Sequence, residues 1–150
     1  MYDWVLVPTD GSTASEDAIE HAIDLAAKYG ATLHALYVVD AGTYSSLEAA
    51  ADVVADELRA EGTEAVEAIA AQAEDAGVTA ETAIETGIVH RSIVDYVDNE
   101  DIDLVVMGTH GRTGVGRFLL GSVAEKVIRT ADAPVMTVRA TDTETDDAEE

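Results

Sequence analysis

Between Leu104 and Ala131 the chain carries one acidic residue, Glu125, four basic ones (Arg112, Arg117, Lys126 and Arg129) and five of its eleven glycines. The spacing is Gly108-x2-Gly111-x9-Gly121-Ser122. Glycine permits positive φ and lets backbone N–H groups come close to an anion. A helix starting at Ser122 would aim its unpaired amides and the positive end of its dipole at the same place. That is the chemistry of a phosphate cradle. It is not a Walker A loop, because Gly111-x4-Gly116 is followed by Arg117-Phe118 instead of Lys and Ser or Thr. Nor is it the dinucleotide fingerprint, which follows the first strand.

Each of these residues also has a plainer reading. Ser122-Val123-Ala124-Glu125 spells a capping box, with Ser122 as N-cap and Glu125 as its partner, and both readings can hold together. Arg112 and Arg117 stand either on a phosphate or in solvent. A second candidate loop, Pro8-Thr9-Asp10-Gly11-Ser12, follows the first apolar run, where Asp10-Gly11 reads as a ligand contact or as a turn or helix cap. His21, His34, His90 and His110 show no metal-ligand spacing, and the chain has no cysteine. Only His110 lies in a candidate loop.

The elements that must position these loops are legible in the hydrophobic pattern. Five β-branched runs, 3–8, 32–39, 79–85, 103–107 and 133–138, alternate with amphipathic stretches, the mark of an α/β domain with a mainly parallel sheet. Ile19, Ala22, Ile23, Ala26 and Tyr29 form the first helical stripe, stopped by Gly30. A second runs from 47 to 76 through Leu47, Val54, Leu58, Val66, Ile69 and Ala73, about 45 Å if unbroken. Gly62 weakens it midway, by about 1 kcal/mol relative to Ala, so a bend there is compatible with the pattern. A third carries Val89, Ile93, Tyr96 and Val97, and a fourth begins at Ser122. Tyr37 and Trp4 are expected in or near the core, and His34 partly buried among apolar neighbours. In an open parallel sheet a ligand sits beyond the carboxyl ends of the strands, where the strand order reverses. The loops after strands one and four would share such a cleft if those strands are neighbours.

Length and composition fit one domain, residues 1–140, followed by an acidic tail, 141–150, expected to be disordered. Neither a signal segment nor a run of about 18 apolar residues is present, so a cytoplasmic protein without membrane partners is expected. The formal net charge is −23, from 31 Asp and Glu against 8 Lys and Arg. Such self-repulsion is screened by concentrated salt, which suggests a halophilic adaptation. It also argues against nucleic acid as a partner, because a polyanion would meet a polyanion.

The VPTDGS start, the LYVVD end of the second run, DLVVMGTHGRTG and GSVAEKVIRTADAPVMTVR together resemble the universal stress protein family, specifically its ATP-binding branch, across residues 2–139. The resemblance implies an α/β fold of the adenine nucleotide alpha hydrolase-like type, an open five-stranded parallel sheet of order 3-2-1-4-5 with helices on both faces. It implies a homodimer through the last strand, Pro134 to Val138. Carried over position by position, it sets Pro8, Thr9 and Asp10 by the adenosine, with Asp10 at the ribose hydroxyls, and the backbone of Val38 by adenine. Gly108, Thr109, His110, Gly111, Arg112, Thr113 and Gly114, with Gly121, Ser122 and Val123, match the phosphate loop, and Met107 just before it is a further nucleotide-binding position. The implied ligand is ATP, or AMP or ADP, with any Mg2+ carried by the phosphates, since no carboxylate pair is set aside for it.

The function expected is a dimeric nucleotide-binding stress or signalling module with little or no turnover, because Asp10 is the only nearby carboxylate. A phosphoryl-transfer enzyme is the alternative. Acid-dehalogenase-like phosphatases place two aspartates after strand one, where this chain has Thr9 and Gly11 around a single Asp10. Response-regulator receivers have a phospho-accepting Asp after strand three, where Glu85-Thr86-Gly87 stands. A nucleotide-free, chaperone-like dimer is a third possibility.

Overall fold

A computed structural model describes residues 1–12, 15–40, 51–109 and 121–139. The elements are β1 (Trp4–Thr9), α1 (Glu16–Tyr29), β2 (Thr32–Asp40), α2 (Ala51–Asp75), β3 (Ala80–Gly87), α3 (Val89–Asn99), β4 (Leu104–Gly108), α4 (Ser122–Thr130) and β5 (Val135–Val138). All neighbouring strands pair in parallel, in the order β3-β2-β1-β4-β5. Strands one and four are therefore neighbours, as a shared cleft requires.

Parallel strands covered on both faces read as continuous apolar runs, and β1 shows why. Val5 and Val7 face one core, packed on Ala18, Ala22 and Ala26 of α1 and on Val66, Ile69 and Ala73 of α2. Leu6 faces the other, with Ile93 and Val97 of α3 and Ala124 and Val127 of α4. Burying each such Val, Leu or Ile side chain contributes about 1.5–3 kcal/mol relative to leaving it exposed.

Helix α2 runs unbroken through Gly62, and packing explains the glycine better than bending does. A Cβ at this position would come within 2.9 Å of three atoms of the Tyr37 ring. Gly62 thus lets α2 lie flush on β2 over a side chain that is only 4% exposed. Leu47 lies outside the described residues, as does the side chain of Val54. Helix α1 ends where the pattern places its stop, with Gly30 at φ 68° and its N–H donating to the Ala26 carbonyl.

Trp4 departs from expectation: it opens its strand at the amino end of the sheet and stays 39% exposed. Its ring nevertheless meets the His34 ring edge-on, with centroids 5.8 Å apart. Tyr29 is likewise exposed and packs edge-on against Tyr2.

Candidate functional site

The seam between β1 and β4 is closed at one end and open at the other. At the amino end Asp103 accepts the main-chain N–H groups of Asp3 (2.9 Å) and Trp4 (3.3 Å), and its own N–H donates to the Trp4 carbonyl. The ladder then holds two pairs, Val5 with Leu104 and Leu6 with Val105, against six between β1 and β2. The residues that follow on each strand, Val7–Thr9 and Val106–Gly108, continue past the end of this ladder. Their loops flank the early end of the seam at the point where the chain order reverses, the ligand position of open α/β sheets.

One wall is the β1–α1 loop, which is organised by its own short side chains. Asp10 Oδ1 accepts the Ser12 N–H at 3.0 Å, and Thr9 Oγ1 accepts the Gly11 N–H at 3.0 Å. Ser15 Oγ donates to the Ser12 carbonyl at 2.9 Å, so its 3.1 Å contact with Thr9 Oγ1 takes its proton from Thr9. Gly11, at φ 80°, makes the turn. The turn reading of Asp10 is therefore present in the structure. The cap reading is not, because Ser15 is the N-cap of α1. Ser15 is the residue that sequence reasoning passed over here. The signal available was the density of hydroxyls in TDGSTAS.

The other wall is assembled around Thr109. Its N–H donates to the Val138 carbonyl at 3.1 Å, and its carbonyl accepts the N–H of Gly121. The end of β4 is thereby tied both to the end of β5 and to the residue that opens α4. The first amides of a helix have no partner within it, and its N-terminus behaves as roughly half a positive charge. Here that end lies directly beside the end of β4.

The capping box does not form as the sequence spells it. Gly121 is the N-cap, in an extended conformation (φ −62°, ψ 154°), and Ser122 is the first helical residue, exposed to solvent. Shifting the frame by one residue puts the Glu125 N–H on the Gly121 carbonyl (3.0 Å), while the Glu125 side chain meets Arg129 at 2.9 Å. That pair is exposed and adds only a few tenths of a kcal/mol, but it partly neutralises the island's one carboxylate. Helix α1 contrasts with this, having Glu16 and Asp17 in its first turn. Of these two helix ends, α4 is the better suited to an anion.

Pro8 and Thr9 are buried at the end of β1, and Asp10 is half-buried just beyond. Val38, near the end of β2, is partly buried on the same face of the sheet as Met107. Met107 itself is buried, 6% exposed. Gly108 ends β4, Val123 packs against the α3–α4 core, and Gly121 and Ser122 open α4. His110, Gly111, Arg112, Thr113, Gly114 and Arg117 lie outside the described residues. Among the described residues no group of three or more His, Asp or Glu could hold a metal ion, and no helix is long and apolar enough to cross a membrane.

An open parallel sheet with its crevice beside a helix N-terminus defines a nucleotide-binding class of α/β fold, and comparison with known proteins narrows this to a family. The model of the universal stress protein family matches residues 1–139, and the chain belongs to that family. Universal stress protein MJ0531 of Methanocaldococcus jannaschii is 40% identical over 93% of this chain and 83% of its own length. The solved structure of MJ0577, from the same organism, superimposes with a TM-score of 0.86 at 32% identity, covering 95% of this chain and 99% of the other. A universal stress protein solved in complex with cAMP superimposes with a TM-score of 0.71 at 26% identity, covering 93% and 98%.

Proposed function

We propose that this protein binds an adenine nucleotide, ATP or its AMP and ADP products, in the crevice between the carboxyl ends of β1 and β4. The observation that carries the reading is the bond from Gly121 to Thr109, which holds the N-terminus of α4 beside the open end of the seam. The phosphates would lie over the amides of Ser122 and Val123 and within the 108–114 glycine loop. Pro8, Thr9 and Asp10 would face the adenosine, with the base by the main chain of Val38 and Met107 a further contact to the nucleotide. The cAMP complex of a family member supports an adenine ligand for this fold.

Turnover would be slow or absent, because Asp10, the carboxylate of the β1–α1 loop, already holds the Ser12 N–H. Any Mg2+ would come with the phosphates. The protein would act as a cytoplasmic stress-response module, one domain over 1–140 with an acidic tail. Dimerisation would use Pro134 to Val138: β5 is an edge strand, with Met136 exposed upon it. Natural proteins cover such edges. Equilibrium dialysis with ATP in molar KCl tests the binding. Saturable uptake is expected, and a protein that retains its fold but takes up no nucleotide would refute the reading.

A further inference from the structure

At the end of the sheet away from the crevice, His34 is 2% exposed on β2, between Leu6 of β1 and Glu81 of β3 in register. Its Nδ1 shares a 2.8 Å hydrogen bond with the Tyr96 hydroxyl of α3, 62 residues along the chain. The Trp4 and Tyr96 rings stand edge-on to it, with centroids at 5.8 and 5.6 Å. Its Nε2 is buried with no hydrogen-bond partner. A neutral imidazole can leave one ring nitrogen unused, but the cation has N–H donors on both nitrogens and a full charge to solvate.

The hydrogen bond joins β2 to the C-terminal half of α3, a helix that also buries Ile93 and Val97 in the core. The first residue of the same helix, Val89, packs in the cluster that contains Val38 and Met107. Helix α3 thus runs from His34 to the core cluster that also holds two of the candidate site residues, Val38 and Met107. We propose that His34 is an acid-sensitive latch: when its imidazole takes up a proton, α3 loosens from the sheet and Val89 loosens from the cluster it shares with Val38 and Met107.

The charged groups facing the ring are Glu81 from β3 and Glu100 just beyond α3. Both favour the cation, yet burial outweighs them and holds the His34 pKa below its ordinary value. The latch is therefore shut at neutral pH and opens only under acid conditions. Its coupling to the crevice rests on the nucleotide-binding reading, whereas the latch itself does not.

Trp4 is the protein's only tryptophan, so its fluorescence reports on the ring it touches. In molar KCl, the intact protein should show one fluorescence step below the ordinary histidine pKa. Amides of α3 should exchange about tenfold faster, relative to those of α1, at about pH 5 than at about pH 7.5. Both changes should vanish in His34→Phe and in His34→Gln, the second serving if the first fails to fold. A step that survives both substitutions, or α3 and α1 amides that accelerate equally, overturns the latch. ATP affinity should fall with the same midpoint in the native protein and not in the variants. An affinity that is constant while α3 opens overturns the coupling, and no ATP binding at any pH overturns the nucleotide reading while leaving the latch supported by fluorescence and exchange.

Discussion

The N–H of Gly121 donates to the carbonyl of Thr109, so the residue that opens α4 is fixed to the residue that follows β4. This bond turns two distant stretches of sequence into one wall of a crevice. Gly121, and not Ser122, is the N-cap, and Ser122 sits exposed as the first helical residue.

A charge at Ser122 should then separate helix stability from ligand binding. Ser122→Asp places a carboxylate in the first turn of α4, a favourable position worth about 0.3–1 kcal/mol. The same carboxylate would repel a bound phosphate. Thermal unfolding should show equal or higher stability, while dialysis should show ATP affinity reduced by about tenfold or more. Affinity unchanged in a stable variant would move the phosphates away from this helix.

Gly62→Ala should destabilise the protein despite the better helix propensity of alanine. The new Cβ would run into the Tyr37 ring, and overpacking of this kind costs about 1–3 kcal/mol. In a Tyr37→Ala background the same change should become stabilising, by up to about 1 kcal/mol. Urea denaturation of the four proteins checks the reversal of sign.

Much of the fold was legible because its signals are local. Runs such as VLVPT and LHALY show their burial directly in the sequence, and Gly30 marks the end of a helix by itself. The strand order came from family resemblance, since periodicity places strands without pairing them. Ser122-x-x-Glu125 misled by one residue because an extended glycine can also serve as N-cap, and only the backbone conformation of Gly121 decides between them. The role of Gly62 depends on Tyr37, and that of His34 on Tyr96. Such contacts join residues far apart in sequence and leave no pattern within any one segment.

Tyr96 should make the protein alkali-sensitive. Burial, with Glu100, Glu81 and Glu85 nearby, raises its hydroxyl from 10.0 to about 12. The unfolded chain therefore loses this proton first. The associated stability is fully present below pH 10 and is lost as the pH rises towards 12. Tyr96→Phe should flatten that limb of a stability-against-pH curve followed by circular dichroism.

A net charge of −23 predicts strong dependence on salt. Repulsion among surface carboxylates opposes compaction until the Debye length shortens, to about 3 Å at 1 M. The urea midpoint should rise steadily from dilute buffer to molar KCl. Equal midpoints would remove salt adaptation as the reason for the acidity.

The most direct test of the central claim is equilibrium dialysis of the native protein against labelled ATP in molar KCl, run beside Ser122→Asp. The account predicts saturable binding to the native protein, clearly weakened in the variant while its fold is retained. A folded native protein that takes up no nucleotide, or binding of equal strength in both, would contradict a phosphate site at the N-terminus of α4.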